Sequence, residues 1–120
     1  MGHLREIAAY TDERGTLVPV ELTGVDFEVR RVFVVTGLPG GSCRGDHQLT
    51  CRELIVLAGG SALIEVGPGR DGPFEASRLA RAGDAIEVGP EGWLRYSLAD
   101  ATSMLLVLAD RPYEDPDQDH

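Results

Sequence analysis

The chain consists of short apolar runs separated by turns rich in glycine, proline and aspartate. Residues 61–66 and 93–98 alternate apolar and polar side chains, which is the pattern of a strand with one buried face. Residues 53–58 and 102–109 are apolar almost throughout, as is typical of strands buried on both faces. Further strands are predicted at residues 16–22, 28–38, 74–79 and 85–88.

Turn signals divide the chain into about nine short strands spaced roughly 8 to 12 residues apart. No segment has a convincing helical period, and residues 4–10 fit a helix and a strand equally well. Pro19 indicates an edge position for residues 16–22, because proline cannot donate to a hydrogen-bond ladder. The pattern predicts an all-β sandwich or barrel.

Length and charge limit the classes of function. The 120 residues suffice for one domain core and are too few for two. The net charge of −9 argues against nucleic acid or an anionic membrane as partner. A small phosphorylated ligand remains compatible with the sequence, since two or three local arginines can bind it. We expect residues 1–110 to form the barrel and residues 111–120 to form an acidic C-terminal tail.

The expected location is the cytoplasm. The N-terminus has no charged-then-apolar leader, and no apolar run approaches the length of a membrane span. Cys43 and Cys51 are the two cysteines, and in that compartment we expect reduced thiols and no disulfide.

The reactive side chains concentrate between Ser42 and Glu53, where arginine, histidine, both thiols and two carboxylates occur together. Apolar runs border this segment on both sides, so it can face the inside of a barrel or line its mouth. His47, Cys51 and Glu53 could supply three metal ligands. Arg95, near the expected fourth position, would repel a cation, and we therefore predict no metal or other cofactor.

The turn pattern resembles that of the cupins, whose first motif carries two histidines and a glutamate and whose second carries a third histidine. Glu53 precedes the turn at Gly59-Gly60, and the second motif keeps its glycine and proline positions at residues 83, 90 and 92. Leu49 stands where the second histidine is expected, and Arg95 stands in place of the third. The resemblance implies a single-domain cupin, which is a double-stranded β-helix or jelly-roll barrel, with its metal ligands lost.

A narrower resemblance, to the metal-free sugar-nucleotide 3,4-ketoisomerases, covers about 100 residues. It rests on the order of these motifs: Asp12-x-Arg14-Gly15-x-Leu17, Glu21, Arg31-Val32-Phe33, Arg44-Gly45-x-His47, Gly60-Ser61, Trp93, residues 105–110 and Tyr113-Glu114-Asp115. The resemblance implies a homodimer that binds a thymidine-diphosphate 4-keto-6-deoxyhexose in the barrel mouth and moves its ketone from C4 to C3.

The chain departs from that family at two points. The family motif reads Arg-Gly-x-His-x-His, and here the second histidine is missing. His47 matches the first histidine when Arg44-Gly45 anchors the comparison, but falls between the two positions when Gly60-Ser61 does. An aromatic hydroxyl usual after Arg-Val-Phe is also missing, since Val34 and Val35 stand there.

The resemblance assigns roles to individual residues. One imidazole can take a proton and return it, so His47 would act as both base and acid. Arg44 would bind the diphosphate or polarise the enediolate oxygen, and Glu53 would orient the imidazole. Arg95 and Tyr96 alternate along a predicted strand, so one of them faces inward, and Tyr96 is the preferred catalytic candidate. The predicted substrate-binding residues are Arg14, Arg31, Arg44, Trp93 and Arg95.

Each candidate also has a purely structural explanation. His47 could be a solvated surface histidine, Arg44 could pair with Asp46 or Glu53, and Glu53 could only cap a strand at the rim. Three functions therefore stay open from the sequence. They are a sugar 3,4-ketoisomerase, a cupin recruited to another isomerisation or cyclisation of a natural-product intermediate, and a non-catalytic small-molecule-binding cupin.

Overall fold

The computed structural model describes residues 2–112. Within this range the chain forms eleven strands, one short 3-10 turn and no α-helix, which confirms the all-β class. The Tyr113-Glu114-Asp115 motif and most of the expected acidic tail lie outside the described residues. No helix in the described part is long and apolar enough to span a membrane.

The strands are short, as the spacing of turn residues predicts. Their bounds are β1 Gly2–Glu6, β2 Tyr10–Asp12, β3 Gly15–Leu17, β4 Arg31–Thr36, β5 Ser42–Gln48, β6 Glu53–Gly59, β7 Ala62–Gly67, β8 Glu75–Leu79, β9 Asp84–Val88, β10 Trp93–Leu98 and β11 Met104–Ala109, with the 3-10 turn at Leu22–Gly24.

Two antiparallel sheets make up the molecule. One has the strand order β1-β9-β6-β11-β4 and the other has the order β5-β10-β7-β8, while β2 and β3 form a separate hairpin. From β4 to β7 successive strands fall in alternate sheets, as in a jelly roll. The core lies between the sheets, because its buried cluster takes Ile55 and Leu105 from the first sheet and Ile64 and Tyr96 from the second.

The N-terminal segment covers the outer face of the five-stranded sheet. Leu54 and Val56 of β6 form a second buried cluster there, against Val18, Val20 and Phe27 among others. The strand predicted at residues 16–22 is shorter than expected, since β3 ends at Leu17 and the following residues pack as an irregular cover. The hairpin turn predicted at residues 12–15 is present between β2 and β3.

One end of the barrel collects three of the predicted site residues, and we call this end the mouth. Arg31 and Glu53 both lie opposite Ala109, which places the starts of β4 and β6 in one row. A four-residue connection links the end of β5 to the start of β6, so His47 lies at the same end. The polar segment thus begins as strand β5.

Candidate functional site

Strand β5 contains a β-bulge that decides which of its side chains enter the barrel. Arg44 pairs with Tyr96 and His47 pairs with Leu94, so the two residues between them oppose a single residue of β10. A two-against-one bulge shifts the alternation of a strand by one position. Because Tyr96 and Leu94 belong to the core, Arg44 and His47 both face the interior, although a regular strand would turn them to opposite sides.

Gly45 provides the backbone conformation of the bulge. Its φ angle is 80°, in the left-handed region that glycine adopts without steric cost. A Cβ atom at this position would lie 2.7 Å from Cε1 of Tyr96, whose side chain is fully buried. Glycine is therefore required here both for its φ angle and for the close approach of the Tyr96 ring.

His47 is half-buried, and its imidazole is held by the backbone next to it. Nδ1 lies 2.7 Å from the carbonyl oxygen of Gln48. Since a carbonyl oxygen only accepts hydrogen bonds, Nδ1 is the donor in this contact. In the neutral ring the lone pair is then on Nε2, and that nitrogen can accept a proton from a substrate.

Leu49 occupies the position of the missing second histidine. It is 2% exposed and belongs to the hydrophobic core. Its backbone is bonded to the β9–β10 loop, since its N–H donates to the carbonyl oxygen of Gly92 over 2.8 Å. His47 and Leu49 both point inward and are two residues apart, as the two histidines of the family motif are. The position of the second histidine is therefore apolar in this chain.

Glu53 is a buried carboxyl group at the mouth, with 1% of its surface exposed. Burial raises the pKa of Glu53 to about 7, although the nearby charge of Arg31 acts in the opposite direction. The carboxylate of Asp110 adds a smaller contribution to the rise. Glu53 can therefore hold or release a proton near neutral pH, as a general acid or base requires.

The two cysteines are free thiols and occupy different environments. Cys43 is exposed, whereas the buried Cys51 donates from Sγ to Oε2 of Glu53 over 3.7 Å. Burial raises the pKa of Cys51 to about 12, and the charge of Glu53 adds to this effect. Cys51 therefore stays protonated and is a poor nucleophile.

Arg31 is half-buried at the start of β4 and lies on the same inner face as Phe33. Its guanidinium carbon is 5.0 Å from the centre of the Phe33 ring. The inner faces of these strands thus carry two arginines, Arg31 and Arg44, with His47, Glu53 and Tyr96, although Arg44 itself is exposed. These five predicted residues share the inner face, and a charge interaction links two of them, Arg31 and Glu53.

Trp93 and Arg95 lie on the opposite, outer face of the four-stranded sheet. The Trp93 indole N–H donates to Oδ1 of Asp46 over 2.6 Å. Nη2 of Arg95 donates to Oε2 of Glu65 over 3.2 Å, and the guanidinium carbon of Arg95 lies 3.9 Å from the centre of the Phe74 ring. The structure does not bring these two predicted substrate-binding residues to the inner face with His47. Of the neighbours Arg95 and Tyr96, the tyrosine faces inward.

Arg14 lies at the turn of the β2–β3 hairpin, away from the inner face of the barrel. Its side chain is 85% exposed and forms an ion pair with Asp12. The hydrogen bond from this arginine lowers the pKa of Asp12. Within one chain, Arg14 is part of an exposed turn.

His47, Cys51 and Glu53 are the potential metal ligands that lie close together in the sequence. Among residues 2–112, no three histidine, cysteine, aspartate or glutamate side chains are grouped so that they could hold a metal ion. The trio therefore does not form a ligand set in this arrangement.

Two features of the site were not predicted from the sequence. The bulge was missed, although a glycine inside a strand-length polar segment is a known signal for one. The contact between Asp46 and Trp93 was also missed, because the two residues are 47 positions apart and no local pattern links them.

A family comparison covers almost the whole chain. The family model described as "FdtA: WxcM-like, C-terminal" matches residues 2–119. No curated protein sequence matches the chain.

Similar solved structures include 3,4-ketoisomerases and a 3'-monoepimerase. A 3,4-ketoisomerase from Helicobacter canadensis is 24% identical with a TM-score of 0.79, over 95% of this chain and 86% of that one. The TDP-quinovose 3,4-ketoisomerase WlaRB from Campylobacter jejuni is 25% identical with a TM-score of 0.77, over 96% and 88%. The 3'-monoepimerase ChmJ from Streptomyces bikiniensis is 19% identical with a TM-score of 0.76, over 99% and 68%. These likenesses confirm the cupin-type jelly-roll fold.

Proposed function

Because the chain belongs to the FdtA family of WxcM-like C-terminal domains, we propose that it is a metal-independent isomerase that moves the ketone of a nucleotide-linked 4-keto-6-deoxysugar from C4 to C3. The observation that carries this proposal is the inward-facing pair Arg44 and His47, which the bulge at Gly45 creates within the family's Arg-Gly-x-His sequence. An imidazole held by one nitrogen and directed into a barrel is suited to proton transfer.

The related structures support the substrate class. The relative from Campylobacter jejuni is named for a TDP-sugar, and another ketoisomerase of this group was solved with TDP-4-keto-6-deoxyglucose. In this chain, Arg31 and Arg44 are proposed to bind the diphosphate or the developing enediolate, because guanidinium groups pair well with phosphate and carboxylate-like oxygens.

The proposed reaction uses one imidazole twice. Nε2 of His47 takes the proton from C3, and the electrons of that C–H bond form an enediolate with the oxygen at C4. His47 then returns the proton to C4, while the hydroxyl proton passes from O3 to O4. We propose that Glu53, with a pKa of about 7, relays this oxygen proton. Tyr96, the predicted catalytic tyrosine, is fully buried in the core and takes no part in this step.

Leu49 gives this mechanism a testable consequence. With one base, part of the proton removed from C3 can return to C4 before it exchanges with solvent. Substrate deuterated at C3 should therefore give product with some deuterium at C4, as measured by proton NMR in ordinary water. Two independent acid and base groups would leave C4 without the label.

The decisive experiment is turnover of TDP-4-keto-6-deoxyglucose in deuterated water, followed by proton NMR. We expect exchange at C3 and formation of the 3-keto isomer. His47→Asn should lower kcat by roughly 10²- to 10⁴-fold, whereas the control His3→Asn, on an exposed residue of β1, should have no effect. Absence of both exchange and isomer in the wild-type protein would refute the proposal.

A second candidate is another isomerisation or cyclisation of a natural-product intermediate. The buried Leu49 favours it, since the mouth is more apolar than one carrying a second histidine. Calorimetry with thymidine diphosphate separates the two, because a nucleotide-sugar enzyme should bind it and an enzyme for an apolar intermediate should not. A binder without activity, the third possibility, would bind the nucleotide and leave the sugar unchanged.

We also propose a homodimer in the cytoplasm. Several large apolar side chains of the N-terminal region are exposed, including Leu4 (67%), Tyr10 (61%) and Leu17 (64%). Tyr10 and Leu17 pair directly across the β2–β3 hairpin, and adjoining exposed apolar side chains of this kind mark interaction sites. In this arrangement the β2–β3 hairpin would carry Arg14 to the mouth of the second copy, where it could bind phosphate. Light scattering measures the mass, and a monomer would contradict the proposal.

A further inference from the structure

The side chain of the second bulge residue is tied to the outer face of the sheet. Asp46 is exposed, and its Oδ1 accepts the indole N–H of Trp93 over 2.6 Å. The guanidinium carbon of Arg70 lies 5.2 Å from the centre of the Trp93 ring. The indole therefore has a cation–π contact on its face as well as a hydrogen bond at its edge. The bond therefore joins the bulge in β5 to the first residue of β10.

The orientation of His47 depends on that bulge. Without it, the regular alternation of β5 would turn Asp46 toward the interior and His47 toward solvent, because a one-residue slip exchanges the two faces of a strand. A carboxylate on the inner face would be costly next to Leu94 and Leu49, which are both buried. The contact with Trp93 provides Asp46 with a partner on the outer side only.

We propose that Asp46 and Trp93 are positioning residues for His47: their hydrogen bond holds the bulge in register and keeps the imidazole directed into the barrel. Neither residue touches the substrate in this arrangement. The catalytic consequence rests on the proposed function, whereas the orientation of the imidazole does not.

The test compares four variants that separate the hydrogen bond from its surroundings. Asp46→Ala removes the acceptor, and Trp93→Phe removes the donor while keeping an aromatic ring. Asp46→Asn keeps an oxygen acceptor and should rescue the wild-type behaviour. Glu65→Ala is the matched control, because it removes a carboxylate from the same outer face that bonds Arg95, the residue opposite the bulge, and leaves the Asp46–Trp93 bond in place.

Two measurements are made on each variant. Nitrogen-15 NMR of the imidazole reports its tautomer, with His3 and His120 replaced by glutamine so that only His47 is observed. Steady-state turnover of the TDP-sugar gives kcat and KM separately. Circular dichroism and thermal unfolding identify any variant that has lost its fold. If Asp46→Ala or Trp93→Phe is unfolded, the other of the two tests the positioning role.

We expect the Nδ1–H form in the wild type, in Asp46→Asn and in Glu65→Ala. Asp46→Ala and Trp93→Phe should shift His47 toward the Nε2–H form of an unrestrained imidazole. Both should lower kcat by roughly 10- to 100-fold with KM nearly unchanged, because misorientation of a catalytic group affects the chemical step. A fifth variant that combines Asp46→Ala with Trp93→Phe should be no worse than either single one, since both changes break one bond.

Retention of the Nδ1–H form in folded Asp46→Ala or Trp93→Phe overturns the positioning role. An equal change of tautomer in Glu65→Ala overturns it as well, because that variant keeps the Asp46–Trp93 bond. Should the wild type show no isomerase turnover, the proposed function fails, but the tautomer data still decide whether Asp46 and Trp93 position His47.

Discussion

Glu53 shows how the barrel alters the chemistry of a single residue. The carboxyl group is almost fully removed from water, and its pKa rises from 4.5 to about 7. Arg31 and Cys51 favour the charged form, yet desolvation is the larger effect. The sequence located an acidic residue at the start of a strand, but the sign and size of its pKa shift depend on what surrounds it.

The raised pKa of Glu53 makes stability depend on pH. The folded protein keeps the Glu53 proton up to a higher pH than the unfolded chain does. The contribution of Glu53 to the stability of the fold is therefore greatest below pH 4.5 and decreases until about pH 7. The loss should be about 3 kcal/mol. Urea unfolding between pH 4.5 and 8 measures it, and Glu53→Gln, which cannot ionise, should remove that part of the slope. An identical pH dependence in the variant would contradict the expectation.

At the scale of the element, β5 is a strand whose sequence does not look like one. Its side chains are largely polar, and one face lines the mouth while the other is exposed. The pairing with β10 makes it a strand, because backbone hydrogen bonding to a neighbour outweighs a weak local preference. The bulge then needs a residue that accepts a positive φ angle, which is provided by Gly45.

Substitution of Gly45 tests this account. Gly45→Ala should destabilise the protein by about 2 to 4 kcal/mol, since it adds backbone strain and a clash with Tyr96. Gly40→Ala is the matched control, because Gly40 has a φ angle of 84° with nothing within 4 Å of the added Cβ. Its cost should be roughly 1 to 2 kcal/mol, from strain alone. Equal costs, measured by chemical denaturation, would show that the contact with Tyr96 is unimportant.

At the scale of the whole molecule, an ion-pair network attaches the N-terminal cover to the barrel. Glu87 of β9 is largely buried and accepts hydrogen bonds from Nε of Arg5 over 2.9 Å and from Nη2 of Arg52 over 2.8 Å. Arg52 also donates to Asp26 over 2.9 Å and lies 5.2 Å from the ring of Phe27. The network therefore joins β1, β9 and the start of β6 to the segment that leads into β4.

Removal of the central carboxylate should loosen this attachment. Glu87→Ala leaves two arginines without their shared partner and should cost about 1 to 3 kcal/mol, below the value for a fully buried pair because both arginines are partly solvated. Urea unfolding followed by the fluorescence of Trp93 measures the change. The control Glu28→Ala, which breaks an exposed pair with Arg30, should cost less than about 1 kcal/mol. A Glu87→Ala variant as stable as this control would contradict the role of the network.

Much of the fold could be predicted from the sequence. The strands at residues 53–58, 61–66 and 93–98 differ from the observed β6, β7 and β10 by at most one residue at an end. Alternation and turn residues are local properties, so they are visible without any partner. The motif order from Asp12 to Trp93 likewise led to the family that the comparison confirms.

The sequence by itself therefore determined the all-β class, the turn positions and the identity of the residues available for chemistry. Only the tertiary structure decided that His47 points inward, that Trp93 and Arg95 lie outside, and that Glu53 is buried. The physical reason is that facing and burial depend on strand pairing across the sheet. One bulge reverses the alternation of β5, and its effect on His47 appears only when β10 is in place.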